Sequence, residues 1–200
     1  MTKLTAPTII QWYQFYRDVC SNWLLRNHIQ IGGEGVTVEL DESVVAQRKY
    51  NCSQFIKEKW VFDGYAPTSG GVFLELVPDR SASTLLPLVR KYVVPGSTII
   101  TDKWKSYCGI SKMEVEPRYL HQEVDHSKNF VDPKTGACTN RIEAMWNSCK
   151  KKFKTMSGVQ QSMLPSYLDE FLWRQQHGKE SGSAAMQNIL KHIVEWYPTL

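Results

Sequence analysis

Three acids stand where two strand ends and a helix start would bring carboxylates together: Asp41 in VELDES, Asp102 in TIITDKWKSY and Glu143 in TNRIEAMWNSCKKKFK. Two carboxylates a few Å apart repel unless a cation lies between them. Hard oxygen donors at an open site are what magnesium or manganese takes while keeping waters for substrate. With a third carboxylate on the following helix, such a trio would hold two divalent ions. One would lower the pKa of an attacking water or 3′-hydroxyl, and the other would stabilise the leaving oxygen of an in-line phosphoryl displacement. Phosphodiester cleavage and rejoining is the chemistry that fits. Each acid also has a plainer reading: Asp41 as a turn acid at a strand end, Asp102 as a helix N-cap before KWKSY, and Glu143 as the partner of Asn140 in a capping box. The chain holds 20 acids, so their positions on the elements must decide.

The helix that carries Glu143 is the plainest of those elements. Ile142, Met145, Trp146, Cys149 and Phe153 recur at helical spacing and form a stripe to be buried. On a neighbouring face Glu143, Asn147, Lys150 and Lys154 make one polar ridge, a carboxylate followed by an amide and two ammonium groups. Upstream, VTVELDES alternates apolar and polar residues from Val36 to Ser43 as a strand with Asp41 at its end. Further strands are expected near Trp60 to Tyr65 and Val72 to Val77, joined by a Pro/Ser/Gly turn. A helix from about Ala82 to Val93 then ends at Pro-Gly, and a short strand from Thr98 to Thr101 delivers Asp102. KWKSYCGI reads as a short helix, and Tyr119 to Val124 as a final strand. A right-handed crossover sets the first and fourth strands side by side, so Asp41 and Asp102 emerge at neighbouring strand ends. The order predicts a ribonuclease-H-like α/β fold, a mixed five-stranded sheet flanked by helices.

Around this centre lie helices over Thr8 to Asn27, Met163 to Gln175 and Ala184 to Trp196, while IGGEG, Ile31 to Gly35, reads as a turn. The expected organisation is an N-terminal helix over 1–30, left from a DNA-binding or linker region, a catalytic domain over 31–178 and a C-terminal helix over 179–200. The 200 residues are 42% hydrophobic with seven tryptophans, which describes a globular chain and excludes a disordered one. Five cysteines without a CxxC pair argue for reduced thiols. His121, His126 and Cys138 match no structural zinc spacing. The N-terminus lacks a signal pattern, and no run approaches the ~18 apolar residues of a membrane span. The expected location is therefore nuclear if the source is eukaryotic and otherwise cytoplasmic, with no membrane partner and no secretion.

The formal charge of +4 is mildly basic, and its distribution says more than its size. Arg48-Lys49, Lys103, Lys105, Arg141 and Lys150-Lys151-Lys152 each sit beside an acidic or aromatic position. Cations flanking acids suggest phosphate brought to metal, and the mild basic excess suits a polyanionic partner without demanding one. Trp60, Trp146 and Trp173 lie on apolar stripes and should pack in a core. Trp104, between two lysines and just after Asp102, is the indole placed to stack on an unpaired base. His126 is expected to line the cleft, with a satisfied structural histidine as the equal alternative.

Several ordered blocks carry a more specific signal: VELDES, WVFDGY, LVPDRSASTLLPLVRKYVVPGSTIITDKWKSY, VDHSKNFVDPKTGACTNRIEAMWNSCKKKFK and YLDEFLWR. From about Gly33 to Arg174 the chain resembles the Merlin family of DDE transposases, relatives of bacterial insertion-sequence transposases with the ISXO-type domain. That resemblance implies a cut-and-paste transposase with two Mg2+ or Mn2+ ions on Asp41, Asp102 and Glu143, working as a homo-oligomer on transposon ends and target DNA. It also implies that Lys150 is the basic residue kept on the glutamate's helical face, with Lys151 and Lys154 nearby on the DNA backbone. Asn140 stands where some bacterial relatives use an asparagine as third ligand; the helix phase favours Glu143. The chain departs from the family's pattern at Asp125, commonly Asn, and at Cys138, commonly His, and shows no paired cysteines for a zinc-ribbon module. The alternative expectation is a host-adopted DNA-binding protein whose chemistry has lapsed.

Overall fold

The computed structural model describes residues 4–46, 58–124, 139–156, 159–178 and 182–198. In chain order its elements are α1 (Ala6–Arg26), β1 (Ile31–Gly32), β2 (Thr37–Ala46), β3 (Lys59–Ala66), β4 (Gly71–Val77), α2 (Ala82–Tyr92), β5 (Val93–Val94), β6 (Thr98–Asp102), a 3-10 helix over Lys105–Lys112, β7 (Leu120–Val124), α3 (Asn140–Thr155), α4 (Leu164–His177) and α5 (Gly182–Trp196). The chain divides into two compact units, residues 29–158 and residues 1–28 with 159–200.

In the first unit the sheet order is β4-β3-β2-β6-β7. β3 runs antiparallel to both β2 and β4, whereas β2, β6 and β7 are parallel. The tight Pro/Ser/Gly turn forces the hairpin, and the α2 crossover forces the parallel pair. This is the ribonuclease-H-like order, a mixed five-stranded sheet with helices on its faces.

Alternation along β2 and β6 sends Val38, Leu40 and Ile99 to one face. There they join Phe62, Phe73 and the apolar sides of α2 and the 3-10 helix in a single cluster. Gly64 lies opposite Phe73, where an added Cβ would stand 2.1 Å from a ring carbon, so the ring lies over bare backbone. The other face takes α3. All five residues of its predicted stripe are buried, against β2 and β3.

Three local departures from the sequence reading have simple causes. β2 continues through Ala46 on β3 alone, with an irregularity between Val44 and Ala46, so Asp41 lies inside a strand and not at its end. Ile31–Gly32 is more than a turn, because it pairs in parallel with Val93–Val94 and thereby stops α2 at Tyr92. Asn140 is already helical and Thr139 occupies the N-cap without a side-chain cap, so the Asn140–Glu143 capping box does not form.

The second unit packs α1, α4 and α5 around Val19, Cys20, Trp173, Ala185 and Ile189. Thr5 caps α1 by accepting from the Thr8 N–H, and Pro7 occupies the first turn, where its missing donor costs nothing. The Trp173 indole donates to His192 Nδ1 at 3.1 Å, Trp23 stacks on His192, and His177 meets Trp23 edge-on with ring centroids 4.5 Å apart. Burial lowers the pKa of both imidazoles. His192 and Lys191 push His177 further down, and Lys191 does the same to His192 against an opposing Glu195. Such groups take up protons more readily when unfolded, so their contribution is flat above the ordinary imidazole pKa of about 6.5 and turns unfavourable below it. The wild-type melting temperature is expected to fall relative to a His177→Gln/His192→Gln variant between about pH 7 and about pH 5. Scanning calorimetry across that range checks it; a constant difference would contradict it. Among the described residues no helix is long and apolar enough to cross a membrane.

Candidate active site

β2 and β6 pair with Thr37 opposite Thr98, Val38 opposite Ile99 and Glu39 opposite Ile100. The same offset aligns Asp41 with Asp102 at the carboxyl edge of the sheet, and alternation puts both on the α3 face. Neither is buried. Asp41 Oδ1 accepts the Glu42 N–H at 2.8 Å, and Asp102 Oδ1 accepts the Trp104 N–H at 2.9 Å.

Two further acids crowd this edge. Asp63 lies directly across from Asp41 on β3, fully buried, and neither of its oxygens has a hydrogen-bond partner among the described residues. Burial first, then repulsion from Asp41 and Glu42, drives its pKa well up, with Lys150 opposing. Glu42 points to the opposite face, where burial, with repulsion from Asp102 and Asp41 against the lowering influence of Tyr107 and Arg80, pushes it up to about 7. The Tyr107 hydroxyl lies against Glu42 short of hydrogen-bond geometry, and its own pKa rises with burial and with the acids around it. Cys149, beneath the sheet, is pushed up to about 12 chiefly by burial, so its thiol is inert.

Glu143 occupies the first turn of α3 and is exposed. It is held near β2 indirectly. Glu39, 1% exposed and two residues before Asp41, accepts the Ile142 N–H at 3.0 Å, and the Arg141 N–H also favours its charged form. Burial nevertheless leaves its pKa raised, and Glu143 adds repulsion there. Glu39 therefore replaces the capping box that the sequence suggested.

The donor chemistry at this edge suits a hard divalent cation, because Asp41 and Asp102 concentrate carboxylate oxygen where repulsion is already felt by Glu42, Asp63 and Tyr107. Among the described residues no three His, Cys, Asp or Glu side chains meet in metal-binding geometry. Asp41 and Asp102 are the residues that could hold an ion, with Glu143 on the first turn of α3.

Lys103, Lys105, Arg141, Lys151, Lys154 and Asn140 are exposed. Lys150 is half-buried, its ammonium 5.4 Å from the Trp146 ring centroid and its charge felt by Asp63. Trp146 and Trp173 are buried as expected, and Trp60 is partly buried against the core. Trp104 is 39% exposed, but one face of its indole carries the Arg80 guanidinium. His121 bonds Thr101. His126, Asp125, Cys138, Arg48 and Lys49 lie outside the described residues. Sequence reasoning missed Glu39 and Arg80, and it passed over Glu42 and Asp63 as ordinary acids. An acid inside the apolar run WVFDGY was the available signal for Asp63.

A β4-β3-β2-β6-β7 sheet with Asp41 and Asp102 in register on its adjacent parallel strands β2 and β6 defines a ribonuclease-H-like domain. The ISXO2-like transposase domain matches residues 32–176, and the chain belongs to that family. An uncharacterized transposase-like protein of Haemophilus influenzae is 29% identical over 124 residues, covering 62% of this chain and 94% of that protein. Among solved structures, the catalytic core domain of HTLV-2 integrase in complex with magnesium is 12% identical, covers 70% of this chain and 84% of its own, and superposes with a TM-score of 0.39. A simian T-cell lymphotropic virus intasome in complex with the PP2A regulatory subunit B56 gamma is 14% identical, with 74% and 50% covered and a TM-score of 0.42.

Proposed function

We propose that this chain is the catalytic domain of a DDE transposase that cleaves DNA phosphodiester bonds at transposon ends and transfers the 3′ ends to target DNA. The observation that carries this is the β2–β6 register, which aligns Asp41 with Asp102. Two Mg2+ or Mn2+ ions, when bound, would supply Lewis-acid activation of the nucleophile and stabilisation of the leaving oxygen. Asp41 and Asp102 would hold them, with Glu143 joining from the first turn of α3 or Asn140 in its place. Lys103, Lys105, Arg141, Lys150, Lys151 and Lys154 would track the DNA backbone, setting register and affinity without reading bases. A homo-oligomer on paired ends, a catalytic span over 31–178 and a location with the DNA belong to the same reading.

One observation favours a second reading, a DNA-binding protein whose chemistry has lapsed: among the described residues no three acids meet in metal-binding geometry. Plasmid nicking separates the two. Magnesium- or manganese-dependent relaxation of supercoiled DNA is expected from the wild type and not from Asp102→Asn, with strand joining to a target duplex in the same reactions. Equal signal from both proteins, or none from either, would overturn the enzymatic reading.

A further inference from the structure

Arg80 follows β4 in the sequence VPDRS and reaches the carboxyl edge that carries Asp41 and Asp102, because β4 runs parallel to β2. Its guanidinium carbon lies 4.0 Å from the ring centroid of Trp60 and 4.3 Å from that of Trp104. The two indoles come from different elements, Trp60 from β3 and Trp104 from the segment after β6. The backbone of Arg80 is fixed as well: the Trp104 indole N–H donates to its carbonyl oxygen at 3.2 Å and the Ser106 hydroxyl at 2.6 Å. Next to it, Asp79 Oδ1 accepts from the Ser81 N–H, the Ser81 hydroxyl and the Thr84 hydroxyl, which pins the turn into α2.

Stacking occupies the flat faces of a guanidinium and leaves its rim of N–H donors. Among the described residues that rim makes no hydrogen bond or ion pair. A fork of donors held in one plane matches the paired oxygens of a phosphate. The location supplies the need: the carboxylates of Asp41 and Asp102 repel a polyanion, and Trp104 ties the clamp to them by donating its backbone N–H to Asp102. Were Arg80 only a counter-ion for these acids, nothing would require two indoles against it. Lysine could not replace it, since an ammonium has no plane to stack and no fork.

We propose that Arg80 binds a phosphate of the DNA strand at the Asp41–Asp102 edge, with Trp60 and Trp104 as the clamp that sets its orientation. The proposal rests on the transposase reading only in taking DNA as the ligand. It is tested by fluorescence anisotropy of a labelled duplex in EDTA, where binding is read without cleavage, over a series of salt concentrations. Arg80→Gln is expected to weaken binding about tenfold and to reduce the slope of log affinity against log salt by about one. Arg80→Lys is expected to keep the slope near that of the wild type yet lose most of the same affinity, the signature of a lost fork at preserved charge.

Wild-type slope and affinity in Arg80→Gln, with only its melting temperature lowered, would overturn the proposal and leave Arg80 a structural cation. Full affinity in Arg80→Lys would overturn the clamp. Failure of the transposase reading looks different: an Arg80-dependent slope in a protein that nicks no plasmid keeps this assignment and removes the enzyme, whereas nicking with an Arg80-independent slope does the reverse. A wild type that binds no duplex removes both.

Discussion

Asp41→Asn is expected to lower magnesium-dependent DNA cleavage by about a thousandfold while raising the melting temperature. A carboxylate that holds a catalytic cation is worth several kcal/mol of transition-state charge stabilisation, and each ~1.4 kcal/mol is tenfold in rate. The gain in stability follows from crowding. Asp41 contributes to raising the proton affinity of Asp63, Glu42 and Tyr107, so its charge is a source of repulsion in the folded protein. An amide oxygen in its place can still accept the Glu42 N–H that Asp41 Oδ1 accepts at 2.8 Å. Opposite movement of rate and stability marks a residue kept for chemistry at a cost to the fold. Cleavage within tenfold of the wild type, or a fall in melting temperature, would remove Asp41 from the role given to it. Calorimetry with and without MgCl2 adds a second readout: the ion should stabilise the wild type more than the variant.

The second large effect is expected at Glu39. Its carboxylate, 1% exposed, takes the Ile142 N–H at the start of α3. Glu39→Ala strands buried first-turn donors and leaves a cavity, a loss of about 3 kcal/mol. Glu39→Gln keeps an acceptor oxygen of the same reach and should recover most of that loss, because burial already disfavours the charge at this position. Urea denaturation of the three proteins checks it. Alanine within about 0.5 kcal/mol of the wild type, the scatter expected of an innocuous substitution, would show that the cap contributes nothing. The same contact bears on the chemistry, since Glu143 stands one residue past the capped amide and shifts whenever the start of α3 shifts.

Periodicity and turn chemistry made the frame legible. The α3 stripe from Ile142 to Phe153 is buried throughout, and the crossover rule placed the Asp41 and Asp102 strands side by side. What local patterns could not carry was anything set by residues distant in the chain. Glu39 caps a helix 103 residues away, so the nearby Asn140 and Glu143 looked like the cap. The Arg80 clamp joins side chains from three segments, and no pattern within any one of them shows that they meet. Val93–Val94 continued the apolar phase of α2, and only pairing with Ile31–Gly32 ends the helix there. The extension of β2 through Ala46 depends on β3 alone, a dependence that alternation within VELDES does not encode.

β2 has one neighbour that follows it closely in the chain and another that lies beyond β4 and α2. The hairpin side can zip from a turn, while the β6 side must close a long loop, the slower event in folding. A chain still emerging from the ribosome, with β3 and β4 made but β6 not yet free, therefore carries Asp41 without its counterpart. On the proposed transposase reading, such an unfinished chain lacks one of the two carboxylates that would hold the ion.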